Sequence, residues 1–467
     1  MIINIKVMIM QYIDVHKVAD EAKFNKFHAK VLAWCFIIII IDGYDIAVAG
    51  AALPSIMTEM GVTASTAGFM ASSALFGMMF GAIFLGALSD KIGRRLTIAI
   101  CVFLFSVFTA AAGLANDPVT FSILRFIAGL GIGGVMPNIV AQMTEYSPKK
   151  IRSLMTTFMF SGYAIGGILA AVIGKQFIVE FGWQVVFFAA GVPVLLLPFI
   201  MKSMPESLAY LLKRQNQQDL QKVVKDINPS IQMKDSVEFT QTIKADNEHT
   251  PMVQLFKEGR SFSTLMFWGA YFTGLFMVYA LSTWLTKLMA MSGYTLGSAL
   301  SFVIALNVGA VAGCIIGGGL ADRFHIKWVL VCMYGLGSVF LYMMTLPMPI
   351  EVLYFNIGMV GACTTGAQIV AYAYCGQFYP SVIRATGIGM AAGIGRMGAI
   401  LSPVLIGFIV ALNLPIEQNF MVIAAAGLIG AVALSFINHN RSDAVLSSRK
   451  TTAKEDINYI KQPPIRQ

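Results

Sequence analysis

Charged residues are scarce in this chain of 467 residues, where Asp, Glu, Lys and Arg together make up only 12%. Soluble domains carry about 25% charged residues, so this deficit excludes an ordinary soluble protein. Hydrophobic residues instead fill 57% of the chain, in blocks that recur along its whole length. Each block is long enough to cross a bilayer, which needs about 20 residues. The composition therefore predicts an all-α, polytopic membrane protein.

Cysteine and histidine are also few, at six and five residues, and neither forms the pattern of a metal or catalytic site. The cysteines lie within or beside apolar blocks without a CxxC pair, which predicts small buried side chains. A Walker phosphate loop is missing, as is a soluble segment large enough to hold one. An ATP-driven pump and an enzyme are therefore disfavoured, and we expect no metal and no cofactor.

Polar and turn-rich points divide the chain into twelve predicted spans, six in each half. They cover residues 31–55, 65–88, 96–115, 118–143, 151–178, 183–203, 260–289, 296–320, 327–346, 350–376, 385–410 and 416–438. The polar stretch between the halves is too charged to span and is expected to form short surface helices. The predicted domains are an N-terminal cytoplasmic segment 1–30, a six-helix repeat 31–203, a central cytoplasmic loop 204–259, a second six-helix repeat 260–438 and a cytoplasmic tail 439–467.

The formal charge of +9 indicates topology rather than nucleic-acid binding, because the basic residues occupy alternate connections. Connections such as "DKIGRR", "SPKKIR" and "DRFHIK" are basic, whereas "GLANDP", "PMPIE" and "NLPIEQN" contain no Lys or Arg. Cytoplasmic loops of membrane proteins are enriched in Lys and Arg. With an even number of spans, both termini are predicted to lie in the cytoplasm.

An internal repeat supports this organisation. The stretch "GALSDK" from Gly86 matches "GGLADR" from Gly318, and "YSPKKIR" around Pro148 matches "FYPSVIR" around Pro380. Both matches have the same offset, since 318 − 86 and 380 − 148 both equal 232. Two separate matches at one offset indicate two six-helix repeats in the same orientation, which is the parallel-repeat arrangement of major-facilitator transporters.

The loop "GALSDKIGRR" is similar to the cytoplasmic signature that the major facilitator superfamily (MFS) carries between helices 2 and 3. The resemblance implies a gate with a tight turn at Gly93, and an Asp90 that pairs across the molecule or caps a helix. Glu145 is expected to pair with Arg95 or Arg152. The expected gating residues are Gly86, Asp90, Lys91, Gly93, Arg94, Arg95, Glu145, Arg152, Asp322, Arg323 and Arg384.

The second copy of this loop departs from the signature, because His325 replaces the glycine and only Lys327 remains of the basic pair. Its turn is expected to be looser. The alternative for both copies is that the charges only follow the positive-inside rule.

A narrower resemblance rests on "DGYD", "DKIGRR", "RFIAGLGIGGVMPN", "EYSPKKIR" and "PESLAYLL". Together these segments resemble the aromatic acid:proton symporters of the MFS, and they look most like the benzoate permeases among them. The resemblance runs from about Phe24 to the end of the last span and is denser in the first half. It implies a multi-pass bacterial inner-membrane permease that imports benzoate-like acids, powered by the proton gradient and partnered by lipid, substrate and proton, as a monomer.

Two aspartates in "FIIIIIDGYDIAVAG" stand out because a buried carboxylate is costly. Asp42 lies about twelve residues into the first span, roughly 18 Å deep at 1.5 Å per residue, and Asp45 lies on the same face. Arg396 is similarly deep in the eleventh span, and Arg125 lies in the fourth. Each such charge costs on the order of 2.5–3.5 kcal/mol near the bilayer centre.

Burial and mutual repulsion favour protonation of one of two close carboxyls, so Asp42 and Asp45 are expected to form the proton site. An arginine facing the same cavity would hold the substrate carboxylate with two hydrogen bonds. Arg396 is at the right depth for this role, and Arg125 either takes it instead or pairs with an aspartate. The alternative is a permanent Asp–Arg lock with a purely structural role.

Uncharged polar and aromatic residues within the spans are further candidates for binding substrate. The amides could donate hydrogen bonds to it and the tyrosines could stack on its ring, although both residue types often serve helix packing. These candidates are Asn138, Asn307, Gln368, Tyr279 and Tyr372, with Trp284 beside them.

Several alternatives stay open at this point. A symporter for muconate, another organic acid or a sugar would share most of these features, since "PESLAYLL" also resembles sugar porters. A channel is disfavoured because two repeats with buried titratable pairs are typical of alternating access. A sensor that binds a ligand without transport is a more distant alternative.

Overall fold

The computed structural model describes residues 11–229, 231, 237–240, 251–380 and 383–442. Eleven helical stretches in it have the length and hydropathy to cross a membrane. One further span consists of two shorter helices, Ile350–Gly361 and Ala367–Phe378, which are joined by a π-helical turn at Ala362–Gly366. The twelve predicted spans are therefore confirmed.

The chain forms two compact units, of which the first comprises Met1–Val62 and Phe69–Asp246. A 3-10 turn at Val192–Leu196 joins the short helices Gln184–Ala189 and Leu197–Ser203 into one span. The elements of this unit in chain order are β1 Gln11–Asp14, α1 Val15–Glu21, α2 Lys26–Glu59, α3 Ala64–Ile92, α4 Arg94–Ala112, α5 Pro118–Tyr146, α6 Arg152–Phe181, α7 Gln184–Ala189, α8 Leu197–Ser203, α9 Leu208–Lys213, α10 Gln217–Ile227 and β2 Val237–Thr240.

The second unit comprises Thr63–Gly68 and Asn247–Gln467. The last element described in this unit is a short 3-10 turn at His439–Arg441. Its helices are α11 Pro251–Gln254, α12 Ser261–Met291, α13 Leu296–Arg323, α14 Ile326–Met343, α15 Ile350–Gly361, α16 Ala367–Phe378, α17 Arg384–Ala411 and α18 Ile416–Phe436.

The first span begins at Lys26, five residues before the predicted residue 31. Asn25 caps it: its side-chain oxygen accepts hydrogen bonds from the backbone N–H groups of Phe27 and His28. In return, the Asn25 backbone N–H donates to Nδ1 of His28. This capping box satisfies helix donors that would otherwise be orphaned, so the helix extends beyond the apolar block that hydropathy detects.

The internal repeat is confirmed by close helix packing. Glycines allow helix backbones to approach one another where a side chain would not fit. Four such contacts with a backbone carbonyl occur in pairs at the offset of 232 residues. They are Gly77 with Phe126 and Gly309 with Gly358, and Gly166 with Ile40 and Gly398 with Phe272.

The polar connections form structure that the sequence predicted only in part. The predicted surface helices are present as α9 and α10. However, β1 and β2 also pair as a two-stranded parallel ribbon, with Gln11 opposite Val237. Neither strand is long or apolar enough to give a periodic signal, so the pairing was not foreseen.

Candidate functional site

The "DGYD" motif of α2 packs each of its four residues differently. Asp42 and Asp45 are buried, at 0% and 1% exposure. Gly43 lies against the backbone carbonyl of Tyr163 in α6, where a Cβ would not fit. The Tyr44 hydroxyl donates a 2.8 Å hydrogen bond to the carbonyl of Val186 in α7. The glycine and the tyrosine thus fix α2 on its neighbours and hold both carboxylates inside the first unit.

Asp45 forms a buried ion pair with Arg125 of α5. Nη1 of Arg125 lies 3.0 Å from Oδ2 of Asp45, and Nη2 lies 3.1 Å from the Asp45 backbone carbonyl. Nη1 also donates to Oγ1 of Thr109 in α4, at 2.8 Å. Arg125 is only 2% exposed, so its charge depends on these partners. The structure therefore brings together two of the predicted site residues and adds Thr109, whose hydroxyl carried no distinguishing signal in the sequence.

Asp42 lies one helical turn before Asp45 and near α4. It is close enough to Cys101 of α4 to interact with that thiol electrostatically. Among the described residues of the first unit's spans, the buried carboxylates are Asp42 and Asp45 and the buried guanidinium is Arg125, while the buried His28 lies at the start of α2. Apart from that histidine, the buried set contains two acids and one base.

Arg396 of α17 lies in the second unit and is half-buried. In the part of the chain that the structure describes, no carboxylate lies within 4.0 Å of it. Its guanidinium interacts electrostatically with the phenol of Tyr372, which in turn interacts with that of Tyr279, so the three side chains form a cluster. Tyr372 is 37% exposed and packs edge-on against the buried Tyr271, with ring centroids 5.1 Å apart. The cluster combines an arginine with aromatic rings.

Gln368 lies one helical turn before Tyr372 on α16, just after the π-helical turn. Its Oε1 accepts a 3.0 Å hydrogen bond from the Tyr334 hydroxyl. Its buried Nε2 has no hydrogen-bond partner among the described residues. Buried polar atoms are normally hydrogen-bonded, so this amide offers a donor for a ligand.

The two asparagines and Trp284 are less suited to binding substrate. Nδ2 of Asn138 donates to the carbonyl of Gly134, and Nδ2 of Asn307 to that of Val303. Both donors are therefore engaged within their own helices. Trp284 is fully buried and donates its indole N–H to the Pro403 carbonyl at 3.0 Å, which is a packing role.

The expected tight turn between α3 and α4 is present, with Gly93 at a positive φ of 98°. The cap of α4 differs from the expectation for Asp90. Oε1 of Glu206 accepts hydrogen bonds from the backbone N–H groups of Arg94 and Arg95, at 2.6 and 3.1 Å, whereas Asp90 is exposed. A carboxylate at a helix N-terminus stabilises the helix, because its negative charge lies at the positive end of the helix dipole. Glu206 belongs to the segment "PESLAYLL", which carried a family resemblance in the sequence but no sign that it caps α4.

Glu145 pairs with Arg94, and the expected partners Arg95 and Arg152 were wrong. Arg94 is the first residue of α4 and Glu145 is near the end of α5, so these adjacent helix ends bring the two side chains together. Glu145 also accepts hydrogen bonds from the Ser207 hydroxyl and the Ala209 backbone N–H.

Arg152 instead pairs with Asp20, which precedes α2. Its Nε also donates to the carbonyl of Ser147, at 3.3 Å. The equivalent Arg384 makes the same bond to Tyr379, also at 3.3 Å. In the second copy of the loop, Asp322 and Arg323 are exposed, and His325 precedes α14 with an ordinary φ of −63°. The glycine turn of the first copy is therefore not reproduced.

Comparison with known proteins identifies the family. The model of the Major Facilitator Superfamily matches residues 35–326 and 307–465. The chain is 42% identical to the benzoate transport protein of Acinetobacter baylyi, over 92% of this chain and 93% of that protein. It is 34% identical to the gentisate transporter of Corynebacterium glutamicum, over 88% and 87%.

A solved structure shows the same fold. The xylose transporter XylE from E. coli, in a partially occluded inward-open conformation, superposes with a TM-score of 0.68 at 17% identity, over 89% of this chain and 98% of that one. The apolar helices and the bacterial relatives identify a multi-pass protein of the bacterial inner membrane. The chain therefore belongs to the major facilitator superfamily, and within it to the family of the benzoate and gentisate transporters, as a transporter and not an enzyme.

Proposed function

We propose that this transporter imports an aromatic carboxylate together with a proton, with benzoate as its first substrate. Benzoate and gentisate, which name its relatives, are both aromatic rings bearing a carboxylate. The driving force is the proton gradient without any cofactor, and the functional form is a monomer with both termini in the cytoplasm. The observation that carries the proposal is the burial of Asp42, Asp45 and Arg125 within the first unit.

Asp42 of that buried set is the proton site. Arg125 is in direct contact with Asp45, so the charges of these two side chains compensate each other. A second buried negative charge would cost about 2.5–3.5 kcal/mol at the bilayer centre. Protonation of Asp42 removes that charge. Asp42 therefore carries the proton, while Asp45 and Arg125 hold the structure around it.

The substrate carboxylate binds to Arg396 rather than to Arg125. The donors of Arg125 already engage Asp45 and Thr109. Arg396 is half-buried and interacts with Tyr372, which in turn interacts with Tyr279. Its planar guanidinium matches a carboxylate with two parallel hydrogen bonds. The rings of Tyr372 and Tyr279 contact the aromatic ring of the substrate, and the Nε2 of Gln368 supplies a further donor.

Symport follows if anion binding and protonation stabilise each other, because such coupling is reciprocal. The carrier then reorients when it is loaded with both or empty of both. The charged residues around Gly93 act as the gate together with Asp322, Arg323 and Arg384 of the second repeat, and the Arg94–Glu145 pair is remade between states.

Uptake of radiolabelled benzoate by cells expressing the protein tests both the substrate and the proton role. We expect wild-type cells to concentrate benzoate, and an uncoupler to abolish the accumulation. Asp42→Asn should also abolish accumulation, yet it should still exchange internal for external benzoate, because exchange requires no net proton movement. The matched control is Asp117→Asn. Asp117 caps α5 from an exposed position, and asparagine caps helices equally well.

Two results would contradict the proposal in different ways. If wild-type cells did not take up benzoate, the assignment of benzoate as substrate would be wrong, and muconate and sugars would be tested next. If Asp42→Asn concentrated benzoate as well as Asp117→Asn does, Asp42 would not be the proton site, while the assignment of benzoate as substrate would stand.

A further inference from the structure

A polar cleft opens at the end of the second unit where α13 is followed by α14 and where α18 ends. It has a volume of about 470 Å³, and its lining includes His325, Lys327, Trp328, Phe436 and His439. No carboxylate is among its described lining residues. It lies apart from Arg396 and the tyrosines along the chain, and the proposed transport mechanism does not use it.

Three basic side chains gather in this cleft. The rings of His325 and His439 are 5.6 Å apart, edge to face, and Nζ of Lys327 lies 4.9 Å from the centroid of the Trp328 ring. Burial and the neighbouring His325 and Lys327 lower the pKa of His439. Nδ1 of His439 is buried and has no hydrogen-bond partner in the described part of the chain. The cleft thus gathers a lysine and two histidines, with no carboxylate among its described lining residues, and leaves a buried nitrogen available to a ligand.

The wall that carries His439 is held in place by its own hydrogen bonds. The backbone N–H of Asn438 donates to the Ser263 hydroxyl on α12, at 3.1 Å. Nη1 of Arg441 donates to the Glu258 carbonyl, at 3.3 Å. These contacts fix the chain on both sides of His439. A site that is ordered before binding avoids the entropic cost of forming it.

Large apolar side chains surround the cleft and are exposed. Trp328 is 55% exposed and Phe436 is 58% exposed, while Phe324, which precedes His325, is 60% exposed. Both α14 and α18 are long and apolar enough to cross a membrane, so Trp328 and Phe436 at their ends are expected near its surface. A lysine and two imidazoles beside an apolar rim fit a ligand that has an anionic head and hydrocarbon chains.

We propose that this cleft binds the phosphate group of an anionic phospholipid, with Lys327, His325 and His439 around the phosphate and Trp328 and Phe436 against the acyl chains. Lysine and arginine residues at the membrane surface attract anionic lipids by about 1 kcal/mol each, and the imidazoles of His325 and His439 can donate hydrogen bonds to the phosphate. A zwitterionic headgroup carries its own positive charge into the same cleft and binds more weakly. Free phosphate shares the anionic chemistry but lacks the contacts with the rim.

The test is native mass spectrometry of the full chain, purified and delipidated in detergent, with phosphatidylglycerol, phosphatidylcholine or inorganic phosphate added. We expect one phosphatidylglycerol to bind about tenfold more tightly than phosphatidylcholine, and millimolar inorganic phosphate not to displace it. The double variant Lys327→Gln/His439→Gln should lose about tenfold in affinity for that lipid, in line with the effect of removing basic residues. Lys257→Gln, an exposed lysine of the same unit outside the cleft, should bind like the wild type.

A Lys327→Arg variant guards against misfolding, because it keeps the charge and should retain the tight lipid. Equal binding of the two phospholipids, or unchanged binding by the double variant, would overturn the proposal. Displacement of phosphatidylglycerol by inorganic phosphate would overturn the lipid as occupant and leave a phosphate site in its place.

Discussion

At the scale of single residues, Arg125 and Arg396 have different surroundings and should respond differently to the same substitution. Arg125→Lys replaces a fork that reaches three acceptors with a single ammonium, so Asp45 and Thr109 lose partners. Hydrogen bonds to charged groups contribute about 1.5–3 kcal/mol, and we expect a clear fall in melting temperature.

Arg396→Lys instead removes the pair of parallel hydrogen bonds to the substrate carboxylate. The KM for benzoate should rise about 10- to 100-fold, which corresponds to about 1.4–2.8 kcal/mol.

The measurements are thermal unfolding of the purified variants and the concentration dependence of benzoate uptake. The two variants act as controls for each other, because the substitution is identical and both sites lie within spans. If Arg125→Lys raised the KM while Arg396→Lys lowered the melting temperature, the two roles would be reversed.

The residue scale also shows where the sequence was sufficient and where it was not. Depth in the helices singled out Asp42, Asp45, Arg125 and Arg396, because a charge inside an apolar span requires compensation, and the first three are buried in the first unit. The sequence left open which arginine pairs with an aspartate, since that depends on how α2 and α5 are rotated about their axes. The partner of Glu145 was predicted wrongly for a similar reason, because adjacent arginines on a helix point in different directions.

At the scale of helices, the contact between α2 and α6 depends on glycine. A Cβ at Gly43 would overlap the backbone carbonyl of Tyr163, and backbone cannot move aside as a side chain can. Gly43→Ala should therefore push the helices apart and shift both neighbouring aspartates. Overpacking of this kind costs about 1–3 kcal/mol, so we expect a lower melting temperature and a loss of benzoate uptake.

Gly335→Ala provides the matched control for this prediction. Gly335 lies within α14 with open space where the Cβ would be. Alanine has the higher helix propensity, so this variant should keep its uptake and melting temperature or gain slightly in stability. Equal uptake and stability in Gly43→Ala would show that α2 and α6 can separate without harm, contrary to the prediction.

Hydropathy predicted the spans well because the bilayer selects for length and apolar content. It did not predict the breaks within them. The sixth span is interrupted by a 3-10 turn beside Pro193 and Pro198, for which the prolines were a visible signal. The π-helical turn before Gln368 carried no such signal in "ACTTG". Such turns often mark functional sites, and this one ends directly before the helix that carries Gln368 and Tyr372.

At the scale of the whole molecule, the repeat was predictable because two loop motifs shared one offset, and helix packing repeats at that same offset. The strand pairing of β1 with β2 was not, since it joins segments more than 200 residues apart. Local patterns thus predict the helices and their repetition, whereas contacts between distant polar segments leave no periodic trace.

The orientation of the whole molecule is a remaining prediction, which follows from where the basic residues lie. The connection after α17, "LNLP", contains no Lys or Arg, whereas the segment after α18 begins with a basic cluster. With 21 residues, α18 is about 31 Å long at 1.5 Å per residue, which matches the hydrocarbon core. The two connections must then lie on opposite sides. The positive-inside rule places the basic one in the cytoplasm.

Alkaline phosphatase, which is active only outside the cytoplasm, can report this orientation when it is fused at chosen points. Fusion after Asn413 should give an active enzyme and fusion after Ser442 an inactive one. Fusion after Gln215, between α9 and α10, is the cytoplasmic control, because the central loop is expected on the same side as the tail. The opposite pattern at all three points would show that the molecule has the inverse orientation in the membrane. The basic cleft would then face the periplasm. Because the cytoplasmic leaflet is the more anionic one in the usual case, that result would also weaken the argument for a phospholipid in the cleft. The fusion series thus tests the orientation and the setting of the lipid site together.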